Sequence, residues 1–214
     1  MKINVVLPTR GLVFCQVEEA IEEMRKDYDI KVYRSHDLPI PDGHNVLTQR
    51  ALLDNPTHIL YIEEDTVPPT GVLEKLLVSD ADVACVDYGV SGWGCVTRDS
   101  LGEILWCGLG CTLVKKEVFN GWEPPYFRVD KTLRLNDWTW QDLPEDYIKN
   151  KNYGGLDIWF FTQVRKRGFK INQIKGECDH LQLLELGKSG MNMGLHKIDK
   201  RPMIVNNQVL NEGG

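Results

Sequence analysis

Apolar and polar positions between residues 1 and 90 follow two periods in turn. Ile3 to Leu7 form a short β-rich run stopped by Pro8, which predicts a buried strand. Phe14, Val17, Ile21, Met24 and Tyr28 then share one helical face, with Glu18, Glu19, Glu22, Glu23, Arg25 and Lys26 elsewhere, the pattern of an amphipathic helix. Ile30 to Tyr33 predict a second strand, and the polar loop "RSHDLPIPDGH" leads to a helix over Asn45 to Leu53. Ile59 to Ile62 give a third strand that ends in three acids, Glu63, Glu64 and Asp65. A helix starts near Thr70, read as its N-cap, with Val72, Leu73, Leu76 and Leu77 inward, and Asp82 to Val86 form a further strand. Strands alternating with helices predict an α/β sheet that is mostly parallel, and such sheets bind ligands at the carboxyl ends of their strands. Pro8-Thr9-Arg10, Ser35-His36-Asp37 and Glu63-Glu64-Asp65 all occupy such ends, so three polar clusters share one rim.

The second half reads differently. Trp93 to Thr97, Glu103 to Trp106 and Cys111 to Lys115 are short strands separated by turn residues, which predicts antiparallel pairing. Residues 120 to 153 form a long connection rich in proline and aromatics, a length that marks functional or mobile loops. A helix over Leu156 to Arg167 buries Leu156, Phe160 and Val164, ends at Gly168, and is followed by the strand "FKINQIK". Periodicity dissolves after Leu186. The chain therefore divides into one domain, residues 1 to 186, and a tail or lid, residues 187 to 214, whose glycines and Lys188, Lys197, Lys200 and Arg201 suit closure over an anion.

Composition narrows the partners. Hydrophobic residues make up 42% and charged residues 26% of the 214, ordinary for a globular protein. A net charge of -6 gives no electrostatic reason for nucleic-acid binding. No apolar run reaches membrane-spanning length, and "MKINVVLPTRG" lacks a secretory h-region. Six cysteines, at 15, 85, 95, 107, 111 and 178, form no CxxC pair or zinc spacing and read as reduced core thiols of a cytoplasmic protein. Carboxylates crowded at a strand end repel one another, so Glu63 to Asp65 either emerge into solvent or share a cation.

Five strings in one order resemble a glycosyltransferase of the GT-A fold, within the large family of inverting nucleotide-sugar transferases, over residues 3 to 182. They are "INVVLPTRG", "HNVLTQRALLDNPTHILYIEEDTVPP", "GLGCTLVKKEVF" with "PPYF", "GGLDIWFFTQVRKRGFKI" and "CDHLQ". The resemblance implies a Rossmann-like central sheet flanked by helices, with a small antiparallel acceptor-side portion. It implies a nucleotide-diphosphate sugar donor, UDP being the family's commonest, and Mn²⁺ or Mg²⁺ bridging the phosphates. Asp65 then takes the metal-binding place of the family's Asp-any-Asp motif, and Glu63, longer than the usual Asp, the place nearer the ribose, with Glu64 between them. Pro8, Thr9 and Arg10 match the nucleotide loop, and Asp37 the position that holds the base. Asn45 and Arg50 contact the nucleotide or brace the pocket.

Asp157 matches the family's general base, but as the acid opening a helix it serves equally as a cap; Leu156 stands where the family has Glu. His180 is a third metal ligand or a structural histidine, with His196 as its competitor. Trp122, Tyr126, Phe127, Trp138 and Trp140 form an aromatic acceptor platform or pin their loop to the core. Two other readings compete: a nucleotidyltransferase, for which "PTRGLVF" is a poor glycine-rich loop, and a non-catalytic nucleotide- or sugar-binding module, favoured by Leu156 and Glu63. The acceptor is left open.

Overall fold

A computed structural model describes residues 1–9, 11–35, 38, 41–90, 93–134, 139–142, 155–181, 184–186, 193–195, 203–205 and 208–210. The first half runs β1 (Lys2–Pro8), α1 (Cys15–Met24), β2 (Asp29–Ser35), α2 (Asp42–Leu53), β3 (His58–Ile62), β4 (Thr66–Val67), α3 (Val72–Leu77) and β5 (Val83–Val90). Short strands follow, β6 (Trp93–Gly94), β7 (Thr97–Arg98), β8 (Ile104–Trp106) and β9 (Cys111–Lys115), then a 3₁₀ turn and the hairpin β10 (Lys131–Arg134) with β11 (Thr139–Asp142). Helix α4 (Leu156–Lys166) leads into β12 (Ile171–His180). Beyond β12, β13 (Leu184–Leu186) pairs with β14 (Met193–Leu195), and β15 (Met203–Val205) with β16 (Gln208–Leu210).

The main sheet has the order β2-β1-β3-β9-β5-β12-β4. β2, β1, β3, β5 and β12 point one way; β9 and β4 run against them. Strand residues alternate between two cores, as the twofold pleat requires. Val6, Ile59, Tyr61, Cys85 and Val114 join the cluster that includes α2 and α4 residues. Val5, Leu7, Leu60, Ile62 and Val86 join the one that includes α1 and α3 residues. Both faces are thus covered, and the strand ends are left as the accessible edge. Among the described residues no helix is long and apolar enough to cross a membrane.

Four expectations change. Thr70 does not cap α3: Gly71 precedes the helix in the left-handed region, φ 71°, with no side-chain cap, because the Val72 N–H already bonds the Pro69 carbonyl in a turn. The expected strand over Trp93 to Thr97 is broken, as Cys95 N–H turns aside to the Asp87 carboxylate at 2.7 Å. The long connection contains the β10–β11 hairpin, while residues 143 to 154 lie outside the described residues. The strand expected over "FKINQIK" runs on to His180 through a bulge at Gly176, φ 149°.

One core residue conflicts with its surroundings. His44 is 1% exposed, its ring 5.3 Å from that of Phe127, and neither ring nitrogen meets a hydrogen-bond partner among the described residues. Burial pushes its pKa down to about 3. Between that value and the ordinary histidine range the unfolded chain binds more protons than the folded one, so stability is lost as pH falls through the window. Relative to His44→Leu, the wild type should lose roughly 2–3 kcal/mol between pH 7 and pH 4.5, read from urea midpoints. Parallel pH curves for the two proteins would contradict this.

Candidate active site

The acid run sits where the chain turns back. β3 ends at Ile62, the Thr66 N–H bonds the Glu63 carbonyl at 3.3 Å, and β4 then pairs antiparallel with the last residues of β12, Thr66 opposite His180. The Leu181 N–H donates to the Asp65 carbonyl at 2.7 Å, which closes the join. Two segments far apart in sequence are thereby laid side by side, and His180 Nε2 stands 3.5 Å from Asp65 Oδ1.

The histidine's other nitrogen sets its tautomer. Nδ1 lies 3.1 Å from the Gly89 carbonyl oxygen, which can only accept, so Nδ1 carries the hydrogen. In the neutral ring Nε2 then presents its lone pair on the Asp65 side. The facing oxygen and nitrogen, 3.5 Å apart, can be joined by a proton on Nε2 or by a cation between them. This is the tautomer of a metal-bound histidine whose second nitrogen is anchored on backbone. Two donors sharing an ion at ~2.1 Å from each must lie within about 4.2 Å of one another, which 3.5 Å satisfies. Among the described residues no group of three or more His, Cys, Asp or Glu side chains forms a metal cage.

Two more carboxylates share the rim. Glu63 is pushed up to about 7 by burial, then by the like charge of Asp65 and more weakly of Asp157; His180 and a hydrogen bond from Tyr88 oppose the rise. Burial also raises Asp157, partly offset by backbone N–H groups of α4's first turn, including Ile158 N–H at 2.9 Å. The cap-like bond is therefore present, and so is a carboxylate held above its ordinary range beside the acid run.

The remaining expected residues fall into three groups. Pro8 ends β1 opposite Ser35, and Thr9, buried, shapes the loop by accepting from Gly11 N–H and donating to the Leu12 carbonyl, each at 2.9 Å. Glu64 is buried, and its carbonyl accepts the Phe14 N–H that anchors this loop to the acid run. Asn45 braces: its Oδ1 accepts the Tyr126 and Phe127 N–H groups and its Nδ2 donates to the Phe127 carbonyl at 2.8 Å. Arg50 is exposed in the last turn of α2, at the helix end away from the rim. Tyr126 and Phe127 are buried, and the partly buried Trp122 stacks on Phe160 at 5.6 Å, so these three pack their loop against the core. Arg10, Asp37, Trp138 and His196 lie outside the described residues; Trp140 is in β11.

Sequence reasoning missed Tyr88. Ending the fourth strand at Val86 left it in a loop, whereas β5 continues to Val90 and brings Tyr88 to the same rim. The strand-end rule applied to "VACVDYG" is the signal that finds it.

No protein-family model matches the chain, and no curated protein matches it. Solved structures do. A197 from STIV superposes with a TM-score of 0.58 at 17% identity, over 97% of this chain and all of that one. A Drosophila β-1,4-galactosyltransferase 7 variant complexed with manganese, UDP-Gal and xylobiose gives 0.47 at 15%, over 82% and 66%. A glycosyltransferase involved in glycosylation of the major capsid of PBCV-1 gives 0.38 at 13%, over 56% and 63%. The architecture is the Rossmann-like GT-A fold: a mainly parallel sheet, helices on both faces, and a small antiparallel part.

The Asn45 clamp yields a direct test. Asn45→Ala leaves two N–H groups and a carbonyl near Phe127 without their partner, and should cost roughly 2–4 kcal/mol in urea unfolding. A loss under about 1 kcal/mol would remove the clamp from the fold's support.

Proposed function

We propose that this protein is a metal-dependent glycosyltransferase that moves a sugar from a nucleotide-diphosphate sugar, most simply a UDP-sugar, to an acceptor hydroxyl with inversion. The reading is carried by one observation. A carboxylate–imidazole pair of metal-ligand spacing, Asp65 and His180, shares a strand-end rim with a second, separately held carboxylate, Asp157. Asp65 and His180 would hold Mn²⁺ or Mg²⁺, which supplies positive charge to the departing diphosphate.

The chain's own side chains do the rest. Glu63 would contact a ribose hydroxyl, and the turn built on Thr9 would shape the loop that holds the nucleotide. Asp157 takes the proton of the acceptor hydroxyl. Its burial suits this work, since a carboxylate whose pKa is raised is a stronger base once ionised. Inversion follows if that hydroxyl attacks from the face opposite the diphosphate. A non-catalytic nucleotide-sugar-binding module is favoured by Glu63 in place of the family's Asp and by Leu156, which replaces the family's Glu and is buried in the core.

Asp65→Ala should abolish metal-dependent donor binding, and EDTA should do the same to the wild type; full turnover in excess EDTA would sink the metal role. Asp157→Asn should cut kcat by roughly 10²–10⁴ while donor Kd stays nearly constant. Near-normal turnover in that variant would leave Asp157 a helix-terminus acid. Donor binding by the wild type without turnover toward any acceptor or water would favour the module.

A further inference from the structure

Tyr88 touches both halves of the acidic rim. Its hydroxyl donates to Glu63 Oε2 at 3.3 Å and accepts the Gly110 N–H at 3.3 Å, and its ring lies 5.4 Å from that of His180. It is 5% exposed. The string "CGLGC" forms its bed: a Cβ at Gly108 would fall 2.0 Å from the Tyr88 hydroxyl oxygen, and one at Gly110 2.8 Å from a ring carbon. Because the Gly110 N–H takes one lone pair of that hydroxyl, the phenolic hydrogen is directed at Glu63.

We propose that Tyr88 is a positioning residue: it ties the Glu63 carboxylate back from the Asp65–His180 pair, so that a divalent cation finds two protein donors there instead of three. The part played by the diphosphate rests on the nucleotide-sugar reading; the tether rests on the contacts above. Glu63 meets the Tyr88 hydroxyl and His180 the Tyr88 ring, and Glu63 is two residues from Asp65, so a released Glu63 lies within reach of the pair. A cation held by few protein donors keeps positions open for phosphate oxygens, as Mg²⁺ does in phosphate-handling enzymes. A third protein donor would fill such a position and hold the ion without substrate.

Tyr88→Phe keeps the ring in its glycine bed and removes only the hydroxyl. The measurement is Mn²⁺ binding to the full chain by electron paramagnetic resonance, followed by UDP binding at saturating Mn²⁺. Tyr88→Phe should bind Mn²⁺ alone about tenfold more tightly and UDP about tenfold more weakly. A tyrosine that merely supported the fold would weaken both. The Mn²⁺ gain should vanish in Glu63→Gln/Tyr88→Phe. Glu63→Gln alone, a variant that spares the tyrosine, should change Mn²⁺ affinity by less than roughly threefold, since its carboxylate is held away from the ion.

Unchanged or weaker Mn²⁺ binding by folded Tyr88→Phe overturns the proposal, as does a gain that persists in the double variant. If Tyr88→Phe does not fold, the Glu63→Gln arm decides, and a loss of Mn²⁺ affinity well beyond threefold overturns it. Wild-type protein that binds Mn²⁺ but no UDP would remove the nucleotide-sugar reading and leave the Mn²⁺ comparison standing.

Discussion

The candidate site depends on a two-residue strand. β4, Thr66–Val67, is only two residues long, yet its antiparallel pairing with the end of β12 sets Asp65 beside His180. Without that pairing the acid run would leave the sheet as a solvated strand end. The bulge at Gly176 serves the same join, because β12 shifts register against β5 there before it reaches His180. Backbone hydrogen bonds, including Leu181 N–H to the Asp65 carbonyl, therefore fix the relation between two side chains that sequence distance separates.

What is held together is electrostatically unfavourable. Glu63, Asp65 and Asp157 contribute like charge to one rim, and burial raises both Glu63 and Asp157. The two cores on either side of the sheet have to offset this, and they are extensive: aromatic contacts run from Tyr61 through Phe127 and Phe160 to Trp122. A rim strained in this way is suited to a positively charged occupant. The same tension between stability and a charged site is common where a fold carries chemistry.

Much of the fold was legible because its strands and helices have clean periods. β1 and β3 follow from short continuous apolar runs and α1 from helically spaced apolar positions, and the rim follows from where those strands stop. Glu63 to Asp65 stood out because three acids after an apolar run have no packing explanation. The contacts that decide between readings were not legible. Nothing local in "PPYF" tells a platform from a pin; the buried Asn45 clamp, formed across the fold, decides it for Tyr126 and Phe127. The stop at Val86 hid Tyr88, since Asp87 and Gly89 resemble strand-ending residues while β5 runs past them. Arg50 failed for a simpler reason: a helix that starts at the rim carries its last turn away from it.

The proposed chemistry requires the Asp65–His180 pair to be a cation seat on a nucleotide-binding rim. The most direct measurement is a crystal grown with Mn²⁺ and UDP and examined at the manganese absorption edge. One strong anomalous peak is expected within bonding distance of both Asp65 Oδ1 and His180 Nε2, with diphosphate density beside it. Diphosphate density at the rim with no anomalous peak at that pair, or manganese bound only elsewhere, would contradict it.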